Sequence, residues 1–221
     1  MNGFVLAGGR SRRMGRDKAL LELGGRPLVE LAVERLRRMG LEARICGGDA
    51  SRELKRFAPV VADKVAGCGP MGGIEAGLAV SDAELNLFVP VDAPLLPEEF
   101  LRWLRSRAET SGAVATIPTL GGRPEPLCAV YSRGLRDGLR QALEAGEFKV
   151  MTAIERAAEA LGERVDRFAT EAVMAALPAG RWPTEPPLRI WFRNVNTPAE
   201  YEGLLANDER ATGANERHPI S

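Results

Sequence analysis

Phe4-Val5-Leu6-Ala7-Gly8-Gly9-Arg10-Ser11-Arg12-Arg13-Met14-Gly15-Arg16-Asp17-Lys18 is the stretch that decides how this chain reads. The apolar run Phe4–Leu6 predicts a first strand. Gly8-Gly9 permits a sharp turn that aligns successive backbone N–H groups into an anion site. Arg10, Arg12, Arg13, Arg16 and Lys18 then crowd cations onto the same loop, the equipment a triphosphate requires. Gly-Gly alone reads equally as an ordinary strand-to-helix turn with solvated arginines. The loop is not a P-loop, because Gly15 is followed by Arg16-Asp17-Lys18 rather than by Lys and Ser or Thr. It is not the dinucleotide fingerprint either, since its two leading glycines are adjacent.

Composition sets the bounds. With 221 residues the chain can bury one sizeable core. Thirty basic and thirty acidic residues cancel, so no global field draws in nucleic acid and any basic site is local. Lysine is scarce: beyond Lys18 there are only Lys55, Lys64 and Lys149. Cys46, Cys68 and Cys128 are far apart and odd in number, which reads as reduced thiols in a cytoplasmic protein rather than a disulfide frame or a zinc site. The one histidine, His218, lies in a polar tail, which argues against histidine catalysis. No signal-peptide apolar region precedes the glycines, and no run is long enough to span a membrane.

Beyond the first strand, periodicity predicts a helix opened by Pro27 and closed by Gly40, a strand at Ala43–Cys46, a short helix at Ser51–Phe57 and a strand at Val60-Val61 ending at Asp63. A glycine loop then leads into a helix at Ile74–Ala79. The nearly all-apolar Asn86–Val91 reads as a buried parallel strand. After it come a helix following Pro97, a strand at Ala113–Ile117 with Pro126–Tyr131 as its hairpin partner, helices at Gly134–Ala145 and Val150–Leu161, and a strand at Val165–Phe168. Leu177–Pro187 reads as a proline-rich loop, Leu188–Val195 as a last strand, and Thr197–Leu205 as a helix capped by Thr197. The expected organisation is one domain over residues 1–206 and a disordered polar tail over 207–221. Alternating strands and helices predict an α/β fold: a mostly parallel sheet with helices on both faces, three layers in all, and a β-hairpin excursion. Ligands then bind beyond the carboxyl ends of the strands. There the first glycine loop, the loop after Val61, the Asp92 turn and Asn194–Thr197 should meet.

Three further motifs carry chemistry. Gly67-Cys68-Gly69-Pro70-Met71-Gly72-Gly73 would let a flat base approach the backbone, or it is a flexible linker into a helix. Asp92, in Pro90-Val91-Asp92-Ala93-Pro94, ends a buried strand, where a carboxylate needs a partner. Magnesium, hard and oxygen-seeking, would serve; so would a turn that Asp92 caps. In Arg193-Asn194-Val195-Asn196-Thr197-Pro198, alternating amides would share a strand face, or Asn196 belongs to a helix-entry turn. A weaker motif, Gly121-Gly122-Arg123-Pro124-Glu125-Pro126, offers Arg123 to a phosphate or simply to solvent.

Taken together these strings resemble the nucleoside-triphosphate transferases, in particular the molybdenum cofactor guanylyltransferases. The likeness spans roughly residues 4–205 and is thin between about 140 and 187. It implies a Rossmann-like sheet of the nucleotide-diphospho-sugar transferase type and transfer of GMP from GTP to molybdopterin with release of pyrophosphate. It further implies Leu6 and Ala7 beside the base, Gly8 and Gly9 offering backbone to the nucleotide, and Gly69 and Gly73 in the guanine loop. Asp63 would contact the ribose or the base edge. Arg13 and Lys18 would neutralise the phosphates, and Asp92 would hold Mg2+. Asn194, Asn196 and Arg123 would face the acceptor. One departure stands out: relatives carry an asparagine after the second strand where this chain has Gly47-Gly48, so that contact falls to backbone or is lost. A monomer is expected, without nucleic-acid or membrane partners and with transient contact to molybdenum-insertion proteins or molybdoenzymes. The rival readings are a cytidylyltransferase acting on molybdopterin, a sugar- or polyol-phosphate nucleotidyltransferase, and a non-catalytic nucleotide sensor or adaptor. Ala7-Gly8-Gly9 and Asp17-Lys18 favour guanine over cytosine.

Overall fold

The computed structural model describes residues 1–8, 18–47, 53–63, 67–177, 182–183, 186–195, 197, 199–200 and 203. Gly9, Arg13, Asn196 and the tail from 207 onward lie outside them. The strands are β1 (Asn2–Leu6), β2 (Glu22–Leu23), β3 (Arg26–Pro27), β4 (Ala43–Cys46), β5 (Val60–Val61), β6 (Leu85–Pro90), β7 (Ala115–Leu120), β8 (Arg123–Pro124), β9 (Ala129–Ser132) and β10 (Val165–Ala169). The helices are α1 (Leu28–Arg38), α2 (Pro70–Val80), α3 (Glu98–Ser111), α4 (Arg136–Glu144), α5 (Val150–Leu161) and α6 (Thr170–Ala176).

Every residue of β1 is buried, because the strand lies inside the sheet between β4 and β6, parallel to both. The sheet runs β10-β7-β9-β6-β1-β4-β5, with β8 appended to β7. Pairs β4–β5 and β7–β10 are parallel as well. Two strands are antiparallel: β9, which wedges between β6 and β7, and β8 beside β7. Side chains alternate between two cores. Val5, Ile45, Leu87 and Val89 face α1 and α3 on one side. Phe4, Leu6, Phe88 and Tyr131 face α2, α4 and α5 on the other. This is the three-layer arrangement the alternation of elements predicted.

Several elements differ from the sequence reading. Helix α2 begins at Pro70 rather than near Ile74, which carries Gly72 and Gly73 into the helix. Gly77 in the same helix has no room for a side chain, since a Cβ there would stand 2.8 Å from the Phe88 ring. Pro27 ends β3 and caps α1 rather than opening it; β2 and β3 form a small hairpin about Gly24-Gly25, both at positive φ. The expected helix at Ser51–Phe57 is, among the described residues, a 3-10 turn at Leu54–Arg56. Helix α6 falls between the expected strand at Val165–Phe168 and the expected loop at Leu177–Pro187, where the sequence reading places no element.

The chief correction concerns Leu188–Val195, which is not a strand. It forms a 3-10 turn at Leu188–Ile190 followed by an irregular segment. Ile190 and Trp191 are adjacent and both buried, but Ile190 closes the 3-10 turn and Trp191 follows it, so neither pairs with the sheet. Trp191 drives the segment instead. Its ring packs 5.4 Å from Phe100 and 6.3 Å from Trp182, and its indole N–H donates to the Pro186 carbonyl at 2.6 Å. Beyond it, Thr197 Oγ1 accepts from the Glu200 N–H at 3.1 Å, the bond of a helix cap. Removing so large and enclosed an aromatic leaves a cavity, so Trp191→Ala should lower unfolding free energy by about 3–5 kcal/mol in a urea titration. A loss under about 1 kcal/mol would show that this cluster does not hold the segment.

Candidate active site

The site is built by hydrogen bonds that continue past the strand ends. Ala7 N–H donates to Cys46 O at 2.8 Å, Gly47 N–H to Val61 O at 3.3 Å, and Val91 N–H to Leu6 O at 3.1 Å. The loops leaving β1, β4, β5 and β6 are thereby tied together at the carboxyl edge. Val195 N–H donates to Asp92 O at 2.8 Å, so the irregular segment from Arg193 docks at the same place. Of the four segments named from sequence, the described residues Ala7, Val61, Asp92 and Val195 are tied to this edge by these bonds. Asn194 is carried there by the backbone bond of its neighbour Val195 rather than by a strand face.

At the centre, Lys18 Nζ lies 2.6 Å from Asp92 Oδ2, across 74 positions of sequence, with both side chains 18% exposed. Lys18 opens a short 3-10 turn at Lys18–Leu20. Asp92 stands in the turn just past β6. That turn is braced from below: Arg35 of α1 donates from Nη2 to Pro94 O at 2.5 Å. Burial, then the nearby Arg38, push the Arg35 guanidinium down to about 10, still high enough to keep it charged at neutral pH.

On the β4–β5 side lies a cradle poor in side chains. Gly47 sits at φ +96°, and a Cβ there would stand 2.7 Å from the Gly8 backbone. The asparagine expected at this turn therefore has no space at residue 47 with the first loop so placed; Gly48 lies outside the described residues. Gly73 in the first turns of α2 lies against Leu6, where a Cβ would approach to 3.1 Å. A Cβ at Gly72 would stand 3.4 Å from the Asp63 carboxylate. Gly69, the N-cap of α2, has φ +62° and no side-chain cap, so first-turn amides remain available. Gly67, Gly69 and Gly72 also fall at the Gly-x-Gly-x-x-Gly spacing that opens helices in dinucleotide sites; reading this stretch as loop overlooked it.

Asp63 is the unusual group of this cradle. Its Oδ1 is buried and has no hydrogen-bond partner. Burial, with the negative Glu75 as the lesser cause, raises its carboxyl from 3.8 to about 6. Glu75 itself is buried on α2 and paired with Arg140 at 2.6 Å. An acid whose folded-state pKa exceeds its unfolded value binds more protons when folded. Asp63 thus weakens the fold as pH rises from about 4 to about 6, and the penalty is complete above 6.

On the β9 side, a cavity of about 310 Å³ opens beside Pro90, lined by Glu125, Leu127, Cys128, Phe192 and Asn194. Arg123 is not among its walls; it is exposed on β8, opposite Leu120. Glu125, which sequence reasoning passed over, faces the cavity, and burial pushes its carboxyl above the usual range. The signal was present in Pro124-Glu125-Pro126, where two fixed φ angles hold one acid in a set direction. Cys46, Cys68 and Cys128 are free and buried. Among the described residues no helix is long and apolar enough to cross a membrane.

A probable molybdenum cofactor guanylyltransferase of Pelotomaculum thermopropionicum is 37% identical over 149 residues, 67% of this chain and 72% of that protein. The molybdenum cofactor guanylyltransferase of Rhodopseudomonas palustris is 36% identical over 216 residues, covering 93% of this chain and 92% of its own. Among solved structures, molybdopterin-guanine dinucleotide biosynthesis protein A from Archaeoglobus fulgidus superposes with a TM-score of 0.72 at 27% identity, covering 96% of this chain and 100% of the other. The 2-C-methyl-D-erythritol 4-phosphate cytidylyltransferase of Thermus thermophilus, 17% identical with a TM-score of 0.55 over 95% and 98% of the chains, shares the nucleotidyltransferase fold. With the model of the MobA-like NTP transferase domain matching residues 3–164, the chain belongs to that family.

Proposed function

We propose that this chain transfers GMP from GTP to molybdopterin and releases pyrophosphate. The observation that carries the reading is the Lys18–Asp92 pair, 2.6 Å apart, set between a glycine-lined cradle and a cavity that can admit a second substrate. The nucleophile is a terminal phosphate oxygen of molybdopterin. It forms a bond to the α-phosphorus of GTP while the bond to the bridging oxygen breaks, and the electron pair departs with pyrophosphate. The nucleophile is already anionic, so no general base is needed. Alignment and charge neutralisation then account for catalysis.

The residues divide the work by position. Ala7, Gly8 and Gly9 offer backbone to the nucleotide, Leu6 and Gly73 bound the space for the base, and Gly69 opens it. Asp63, whose Oδ1 has no donor among the described residues, accepts from the ribose or from the donor edge of guanine. Lys18, with Arg13, neutralises the phosphates and the departing pyrophosphate. Asn194 and Asn196 orient the acceptor, and Arg123, being exposed, serves at most its rim. The Asp92 carboxylate suits a divalent cation, Mg2+ before others. It is a hard oxygen donor at a phosphate site, and Mg2+ uses one or two protein carboxylates beside substrate oxygens; among the described residues no larger cluster of metal-binding side chains occurs. When bound, the cation supplies positive charge to the phosphate oxygens. Lys18 and Asp92 neutralise one another until the polyphosphate competes for the ammonium. A cytoplasmic location suits the three free thiols.

The deciding experiment supplies molybdopterin and Mg2+ with GTP, CTP or ATP in turn, and follows pyrophosphate and dinucleotide. GTP should give product and the others little. Preference for CTP would make the chain a cytidylyltransferase, and tight GTP binding without turnover would make it a sensor. Lys18→Ala and Asp92→Ala should each lower turnover by about two orders of magnitude or more, as loss of a preorganised charge contact does. A near-normal rate in either variant removes that residue from the mechanism.

Asp63→Asn should act in opposite senses on stability and binding. At pH 7.5 it removes an unpartnered, half-buried charge, so the variant should be the more stable by on the order of 1 kcal/mol after solvent screening, with the gap closing as pH falls from 6 to 4. GTP affinity should drop about tenfold or more through the lost charged acceptor. A melting curve whose pH dependence matches the parent, with unchanged GTP titrations, would contradict both assignments.

A further inference from the structure

Glu125 faces a cavity and has nothing to bind there. Its carboxylate makes no hydrogen bond or ion pair among the described residues, yet its backbone is held on both sides. Glu125 N–H donates to Pro118 O at 2.9 Å, and Glu125 O accepts from Cys128 N–H at 3.0 Å. Tyr131 Oη, fully buried, donates to the neighbouring Pro126 O at 2.6 Å. Pro124 and Pro126 fix their own φ angles. The acid is thus a preorganised acceptor. A carboxylate partly withdrawn from water without a donor is costly, and that cost is relieved when a ligand brings donors.

The rest of the cavity says which donors. Pro90, Leu127, Cys128 and Phe192 are apolar, while Asn194 is the other polar wall. Apolar walls with a few convergent polar groups suit a heterocyclic ring, and about 310 Å³ is within the range of small-molecule pockets. A carboxylate presents two parallel acceptors and is matched by two parallel N–H donors. Pro90 is the last residue of β6, two positions before Asp92, so this cavity adjoins the Asp92 turn on the side away from the glycine cradle.

We infer that Glu125 is a specificity-determining residue of the acceptor site, its carboxylate accepting both the 2-amino and the N3–H donors of the acceptor's pterin ring between the walls of Leu127 and Phe192. This rests on the guanylyl-transfer reading for the identity of the acceptor. It assigns to Glu125 what sequence had looked for in Arg123: the hairpin contributes an acceptor for the ring rather than a cation for its phosphate. A general-base role for Glu125 is not required, since the phosphate nucleophile has no proton to lose.

The test uses the full-length protein with pterin and lumazine, the latter carrying an oxo group in place of the 2-amino group. Each is titrated by calorimetry and as a competitor of molybdopterin in dinucleotide synthesis. The unmodified protein should bind pterin about tenfold or more tightly than lumazine, the discrimination expected when one donor to a charged acceptor is lost. Glu125→Gln should bring the two within about twofold and raise KM for molybdopterin about tenfold, with KM for GTP and kcat near their original values. Equal binding of pterin and lumazine by the unmodified protein, or undiminished discrimination in Glu125→Gln, overturns the assignment. Should the variant fail to fold, the comparison of the two ligands on the unmodified protein decides alone. Absence of dinucleotide synthesis would instead sink the transferase reading, and the calorimetric comparison still judges Glu125.

Discussion

Parallel pairing of β1 with β4 and β6 is the constraint on which the remaining structure depends. Parallel neighbours end on the same edge, so loops that are 40 and 84 residues apart in sequence are delivered to one place. Hydrogen bonding continues one residue beyond the strands, at Ala7, Gly47 and Val91, and this fixes the backbones from which the site is built. Close packing then demands small residues: Gly47 against Gly8, Gly73 against Leu6, Gly77 against Phe88. The glycines beside the cradle are a consequence of strands and a helix converging without room for Cβ atoms, and the open backbone that results is what a nucleotide can approach.

The Asp92 turn shows how tightly that convergence is enforced. It receives a cation from Lys18, a backbone N–H from Val195 and, two residues on, the guanidinium of Arg35 at Pro94. These come from the first loop, the C-terminal segment and α1. Each satisfies a different group, so none replaces another. The C-terminal segment is held in turn by Trp191 among Phe100, Trp182 and Phe192, a packing unit remote from the chemistry that nevertheless decides where Val195 and Asn194 stand.

What sequence disclosed follows from this physics. Buried parallel strands are short, apolar and bounded by glycine, aspartate or proline, so β1, β4, β5 and β6 were legible to within a residue or two. The proximity of Lys18 to Asp92 was legible through the resemblance, which sets both at the phosphates; Asp92 follows such a strand, whereas Lys18 lies twelve residues beyond the end of β1. The segment from Leu188 was not: an apolar run reads as a strand whether its side chains enter a sheet or an aromatic cluster, and only Trp191's neighbours distinguish the two. The start of α2 was hidden because glycines argue for loop, whereas here they permit a helix to lie against Leu6 and Phe88. Glu125 escaped notice because its isolation is a property of the folded hairpin; along the chain it is one acid between two prolines.

Asp63 and Glu125 stand on opposite sides of Asp92, and among the described acids they are the two that burial pushes upward. Carboxylates left in that condition lower stability and are retained where a ligand completes them. On the proposed reading the two substrates pose a particular difficulty, since guanine and pterin carry the same 2-amino-4-oxo edge. A carboxylate alone cannot tell them apart. Discrimination must come from what surrounds each one: bare backbone and a helix amino end around Asp63, which suit a nucleotide with its phosphates reaching Lys18, and apolar walls around Glu125, which suit a ring system without a ribose. Two similar acceptors in two dissimilar enclosures would let one enzyme hold both partners in a single order, with their phosphates meeting at residue 92.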